Sequence, residues 1–252
     1  TRPKQPAPDS AAQTKAREYF YQGVLAQSSG RTMEAFDLLR HARALDPTDP
    51  AIAFMLGGNY AQQGMSDRAL SLLEEAYGAD STNLTYARAL SAGYIEAGRM
   101  QDALHINERL SEADPEDDDV RYRLIQLYAR TGELKKGIQL ATELQKRFQP
   151  MPEAYGQLTK MKIQLLTLSK DSVAVGREYR AWAALYPEDR RPYYDWILHL
   201  FQTGGAKEAE KQLASDVRAG RISSGDATAL RVHKYILQKD YPAAEAELVR
   251  LT

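Results

Sequence analysis

Residues Pro50 to Asn83 read PAIAFMLGGNYAQQGMSDRALSLLEEAYGADSTN, and much of the chain repeats this stretch at a fixed shift. Within it stand Leu56, Gly57, Tyr60, Gly64, Ala69, Leu73 and Ala76. A shift of 34 residues brings back the turn glycine, as Gly30, Gly64, Gly98 and Gly132. Ala35, Ala69 and Ala103 follow the same spacing, with Gly137 in the fourth slot. Self-similarity at such a period is the mark of a helical repeat array.

One unit explains itself physically. Leu56 and Tyr60 lie four apart and share a face of a first helix, about Ala51 to Gln63. Asp49 can cap that helix, and Pro50 fits its first turn, where a missing N–H costs nothing. Gly64 stands where a left-handed residue is wanted. Ser66 is then expected to cap a second helix, about Asp67 to Ala79, as Thr32 would one unit earlier. Ala69, Ala76 and Gly57 keep side chains small where helices meet; a glycine inside a helix costs about 1 kcal/mol against alanine, which implies a packing reason.

These residues resemble the tetratricopeptide repeat family, whose units are paired antiparallel helices. Leu56-Gly57-x-x-Tyr60, Gly64, Ala69, Leu73 and Ala76 match its pattern. Ala53 replaces an early aromatic and Ser81 a closing proline. The resemblance runs from Ala16 to Thr252. It implies an all-α fold: a right-handed α-solenoid of about seven repeats, the fifth irregular.

Along the chain, residues 1–10 form a proline-rich leader, extended and mobile. It reads as a segment joining an anchor or cleaved signal to a folded body, or as a frayed terminus. Residues 11–151 hold four regular repeats, opened by a capping box at Ser10–Gln13. In the fourth, Ile125 fills the small slot of Gly57 while Gly137 replaces alanine, a volume-conserving exchange. Residues 152–189 form a lengthened fifth unit. From Pro152 to Arg190 is 38 residues, one helical turn over the period. A long helix to Leu168, a turn at Ser169–Asp171 without glycine, and a helix to Leu185 are expected. Trp182 falls in the slot of Ala76, and this unit is the expected place for a bend or boundary. Residues 190–252 hold two further repeats. Their C-terminal end lacks a polar cap, which implies more chain or a second molecule over it.

Composition narrows function. The 33 basic and 34 acidic side chains nearly cancel, which argues against a nucleic-acid binder. No cysteine is present, so disulfides, thiolate zinc sites and cysteine nucleophiles are excluded. There is no apolar run of membrane-spanning length. His41, His105, His199 and His233 form no ligand motif. Phosphate-loop, dinucleotide and serine-elbow patterns are missing. No catalytic, metal or cofactor site is therefore expected. The acidic run Asp114–Asp119 admits a calcium reading, but carboxylates at a helix start are explained by capping and dipole.

The fifth position of successive units reads Phe20, Phe54, Arg88, Tyr122, Gly156 and Tyr194; the next turn adds Val24, Gln126 and Phe201. In the family this position points into the concave groove. The resemblance thus makes Phe20, Val24, Phe54, Arg88, Tyr122, Gln126, Tyr194 and Phe201 the candidate partner-binding residues, with groove exposure expected for at least three rings. Aromatic and Arg side chains dominate binding hot spots, and such a groove suits a peptide or partner helix. The competing reading is that the rings pack neighbouring first helices together. The family's chaperone-tail clamp needs Lys and Asn where this chain has Phe20, Val24, Phe54 and Gly58, so that ligand is not implied.

The function expected is a non-enzymatic scaffold that holds a protein or peptide partner during assembly of a larger complex, without cofactors. The alternative is the adaptor region of a larger enzyme or regulator. The leader and the absent initiator Met point toward a bacterial periplasmic or envelope setting, with the cytoplasm as alternative.

Overall fold

A computed structural model of the chain describes residues 10–249. Residues 1–9 of the proline-rich leader and the last three residues lie outside the described part. Among the described residues there are 14 helices and no strand. Contacts divide the chain into two compact units, Thr1–Glu133 and Leu134–Thr252.

The first unit carries α1 (Ala11–Ser28), α2 (Thr32–Leu45), α3 (Pro50–Gln62), α4 (Ser66–Ala79), α5 (Leu84–Glu96), α6 (Met100–Ala113) and α7 (Asp118–Thr131). Each helix packs on the next, and α3 also touches α5, as stacked hairpins require. Ser10 forms the expected capping box with Gln13. Asp49 accepts the N–H groups of Ala51 and Ile52, and Pro50 opens the helix.

Gly64 has φ +73° and closes α3 with two reversed hydrogen bonds. Its own N–H reaches the Ala61 carbonyl, and that of Met65 reaches the Tyr60 carbonyl, both at 2.9 Å. This is the Schellman arrangement, and its left-handed residue suits glycine. The chain re-enters a helix at once, so Met65 and Arg31 occupy the cap positions and make no side-chain cap bond. Ser66 and Thr32 lie one residue inside their helices, against the expectation that they cap them.

The core is built of small residues facing leucines. Ala35, Leu39, Ala42 and Ala76 are wholly buried, and Ala69 and Leu73 nearly so. A Cβ on Gly57 would stand 3.3 Å from the Ala69 carbonyl and from Leu72 and Leu73. The bare glycine is what lets α3 and α4 approach.

The second unit carries α8 (Leu134–Arg147), α9 (Pro152–Leu168), α10 (Ser172–Leu185), α11 (Arg191–Gln202), α12 (Ala206–Arg218), α13 (Ser224–Leu237) and α14 (Tyr241–Val249). α9 has 17 residues, against 13 for α3 and α5. Its reversed turn is made without glycine: Lys170 takes φ +61°, and the Asp171 N–H reaches the Leu166 carbonyl at 3.0 Å.

Trp182, in the slot held elsewhere by alanine, is fully buried. Room for it comes from Gly156, where an added Cβ would stand 2.8 Å from the indole. A buried polar set also ties α8, α9 and α10 together. Gln145 donates to Thr159 at 2.8 Å, Lys162 donates to Gln145 at 3.1 Å, and Lys162 pairs with Glu178 at 2.7 Å. Ile125 and Gly137, the exchanged pair of the fourth repeat, are each buried.

Candidate peptide-binding surface

In the first unit, one offset between neighbouring repeats recurs. Asn59 donates to Gln27, Arg43 pairs with Glu75 and Arg109 donates to Tyr77, all 32 residues apart. Two residues short of the 34-residue period is an axial stagger of about 3 Å between adjacent helices. The fifth-position residues have to be judged against this stagger.

In the first unit, Phe20 is half-buried and leans on Ala16, Ala42 and Ile52. Its ring meets Tyr21 edge-on at 5.8 Å, and Tyr21 itself is 68% exposed. Val24, one turn on, is exposed. Phe54 is half-buried; its ring centre lies 5.0 Å from that of Tyr86, again 32 residues away. Tyr122 is half-buried, and its hydroxyl is pushed up by burial and by the charge of Asp118. Gln126 is exposed.

Arg88 is not a free cation. It pairs at 2.5 Å with Asp117, which also caps α7 through the Val120 N–H. Burial works to raise the Asp117 carboxyl, but the Val120 N–H and the Arg88 guanidinium hold it below the ordinary carboxylate range.

In the second unit, the Tyr194 hydroxyl donates to Asp226 at 2.5 Å, another contact across 32 residues. Phe201 is 8% exposed and belongs to the core with Ile197, Leu213 and Leu230. Its assignment to an open surface is corrected: α11 buries this face against α13, and Lys234 covers the ring at 5.6 Å. Gly156, in the same row, lies under Trp182. Both readings of the row therefore have members. Phe20, Phe54, Tyr122 and Tyr194 pack partly and keep an open edge, while Val24 and Gln126 are open.

A contact that the sequence analysis missed involves the repeat tyrosine. Tyr94 donates to Glu74 at 3.1 Å, and Tyr128 donates to Glu108 at 3.0 Å, one period later. Burial, then the bond to Glu74, push the Tyr94 hydroxyl up to about 12. The spacing of 20 residues joins α5 to α4 and α7 to α6. Recurrence of both Tyr and Glu at 34 residues was the available signal.

Among the described residues, no three His, Asp or Glu side chains are grouped to hold a metal ion. His199 stacks on Trp196 at 5.9 Å, and burial lowers its basicity.

The tetratricopeptide repeat family model matches residues 26–93 and 94–160, more than half of the chain. The chain belongs to the tetratricopeptide repeat family. Solved structures repeat the fold of this TPR chain. YrrB, described as a TPR protein with an unusual peptide-binding site, is 16% identical. It aligns over 71% of this chain and 93% of its own, with a TM-score of 0.57. A tetratricopeptide repeat protein from Parabacteroides merdae is 18% identical over 94% of this chain and 92% of its own, at a TM-score of 0.60. MamA AMB-1 is 21% identical over 69% and 93%, at 0.57. No curated protein sequence matches this TPR chain.

Proposed function

We propose that this TPR chain is a non-enzymatic scaffold that binds a peptide or a partner helix along the first helices of its N-terminal unit. The observation that carries this reading is the row Phe20, Phe54 and Tyr122, half-buried yet open at one edge, with Val24 and Gln126 exposed beside it. Rings anchored on one side lose little freedom when covered on the other, which is the hot-spot economy of rigid aromatic contacts. YrrB, a TPR protein of the same fold with an unusual peptide-binding site, supports the same use of the fold. The binding residues of this reading are Phe20, Val24, Phe54, Tyr122 and Gln126 in the first unit; Tyr194 is a candidate of the second unit taken by itself. Arg88 acts by shaping the surface through Asp117.

The test is a selection of displayed peptides on the full chain, followed by affinity measurement with Val24→Asp/Gln126→Lys and with Tyr122→Ala. The first pair changes open positions and leaves packing intact. A fall of about tenfold or more, equivalent to about 1.4 kcal/mol, supports the surface. Unchanged affinity in both variants removes it.

A further inference from the structure

The second unit holds a small cavity on a different set of side chains. It measures about 80 Å³ and is lined by Tyr179, Arg180, Ala183, Pro192, Tyr193, Trp196 and Gln212. None of these belongs to the fifth-position row. The walls come from α10, α11 and α12, with α11 packed against both of the others within this unit.

The aromatic walls are held in place from behind. The Tyr179 and Trp196 rings lie 5.4 Å apart, and Trp196 stacks on His199. Gly176 lets the Trp196 ring lie close to α10, because a Cβ there would meet it at 3.3 Å. Arg221 lies over the Tyr193 ring at 5.4 Å and is itself paired to Asp216 at 2.7 Å.

The charges at the rim differ. Arg177 and Arg180 stand one turn apart on α10, both exposed. Among the described residues neither has a carboxylate within ion-pair distance. In a chain with a net charge of −1, an unpaired cation beside an aromatic hollow is a local excess of positive charge. Arginine next to aromatic faces is well suited to a carboxylate on an apolar stem.

We propose that this hollow is a second docking site, for an acidic peptide segment of a partner protein. A short apolar side chain of valine or proline size enters between Trp196 and Tyr193. An adjacent Asp or Glu carboxylate meets Arg180, with Arg177 reinforcing the field. The hollow is small, so the proposal commits to an acidic segment carrying a small apolar side chain.

The full chain is presented to an immobilised peptide set with a central Pro, Val or Trp flanked by Asp or by Lys. Binding is read by retention and by tryptophan fluorescence. Trp182 is fully buried and Trp196 is not, so a contact in the hollow changes the emission of Trp196. Retention of the Asp-flanked Pro and Val peptides alone is expected. Arg180→Glu, an exposed change, should reduce it at least tenfold while far-UV dichroism stays the same. Ala183→Leu, which fills the hollow, should do likewise, whereas Val24→Asp/Gln126→Lys should leave it unaltered. Equal retention of Lys-flanked peptides overturns the proposal, as does retention indifferent to Arg180→Glu. Concentration-dependent self-association abolished by Arg180→Glu, with no peptide retained, would assign the hollow to a second copy and overturn it too.

Discussion

At the scale of single residues, the Gly156–Trp182 pair shows how an exception to a repeat is accommodated. Trp182 occupies an alanine slot, and the helix opposite has lost a side chain where the indole lies. The indole is rigid and wholly enclosed, so it cannot yield to a new methyl group. Gly156→Ala is expected to destabilise the chain by about 1–3 kcal/mol, the usual cost of overpacking. Equilibrium urea denaturation measures it; Gly58→Ala, where a Cβ meets nothing, is the matched control. Lys170 gives the opposite sign. It holds a left-handed backbone that costs an L-residue about 1–2 kcal/mol. Part of this returns as glycine's greater freedom when unfolded, so Lys170→Gly should stabilise by about 0.5–1 kcal/mol. Asp117 supplies a pH test. Its folded carboxyl lies below the ordinary value, so its contribution is complete above about pH 4. That contribution is lost as pH falls through the lowered value. Arg88→Ala should move the Asp117 midpoint up toward its ordinary value in a carbon-detected NMR titration; an unmoved midpoint would separate Arg88 from this role.

At the scale of elements, the sequence disclosed what one repeat can encode. The 34-residue spacing of glycines placed the reversed turns, and the four surplus residues after Pro152 placed the longer α9. What stayed hidden depends on pairs from different repeats. Gly156 carries no trace of Trp182 in its local pattern. The ion pair of Arg88 with Asp117 and the burial of Phe201 follow from stacking, not from periodicity. Thr32 and Ser66 looked like caps because their residue type favours that position; the Schellman turn set the helix start one residue earlier. The polar set across α8, α9 and α10 belongs with these hidden features. Lys162 and Glu178 have side chains only 10% and 19% exposed and compensate each other. Removing one partner of such a pair leaves the other stranded, so Lys162→Ala is expected to cost about 3 kcal/mol. Lys162→Met combined with Glu178→Leu should cost far less, since apolar replacement of both partners is often neutral. A double-mutant cycle by chemical denaturation reads the coupling, and strict additivity would show that the pair does not act as one.

At the scale of the whole molecule, repeat packing changes what a local injury does. In the second unit α9 touches α8 and α10, and α10 touches α11; direct contacts run mainly between successive helices. Stability in such an array is close to a sum of unit terms and nearest-neighbour terms. A compact globule with one core would instead share a local loss among all its slowest amides. Gly156→Ala distinguishes these behaviours by native-state hydrogen exchange on the full chain. Amides of α9 and α10 should open about tenfold more often for each 1.4 kcal/mol lost. The rise should shrink through α11, and α3 and α4 should keep their wild-type rates. A uniform acceleration from α3 to α13 would mean that the helices melt as one cooperative body. The same local response bears on binding: a surface built from successive first helices can be weakened at one rung while the others keep their shape. On the proposed function, binding free energy should then fall stepwise with each rung altered, multiplying the loss of affinity, and binding should not vanish at the first substitution.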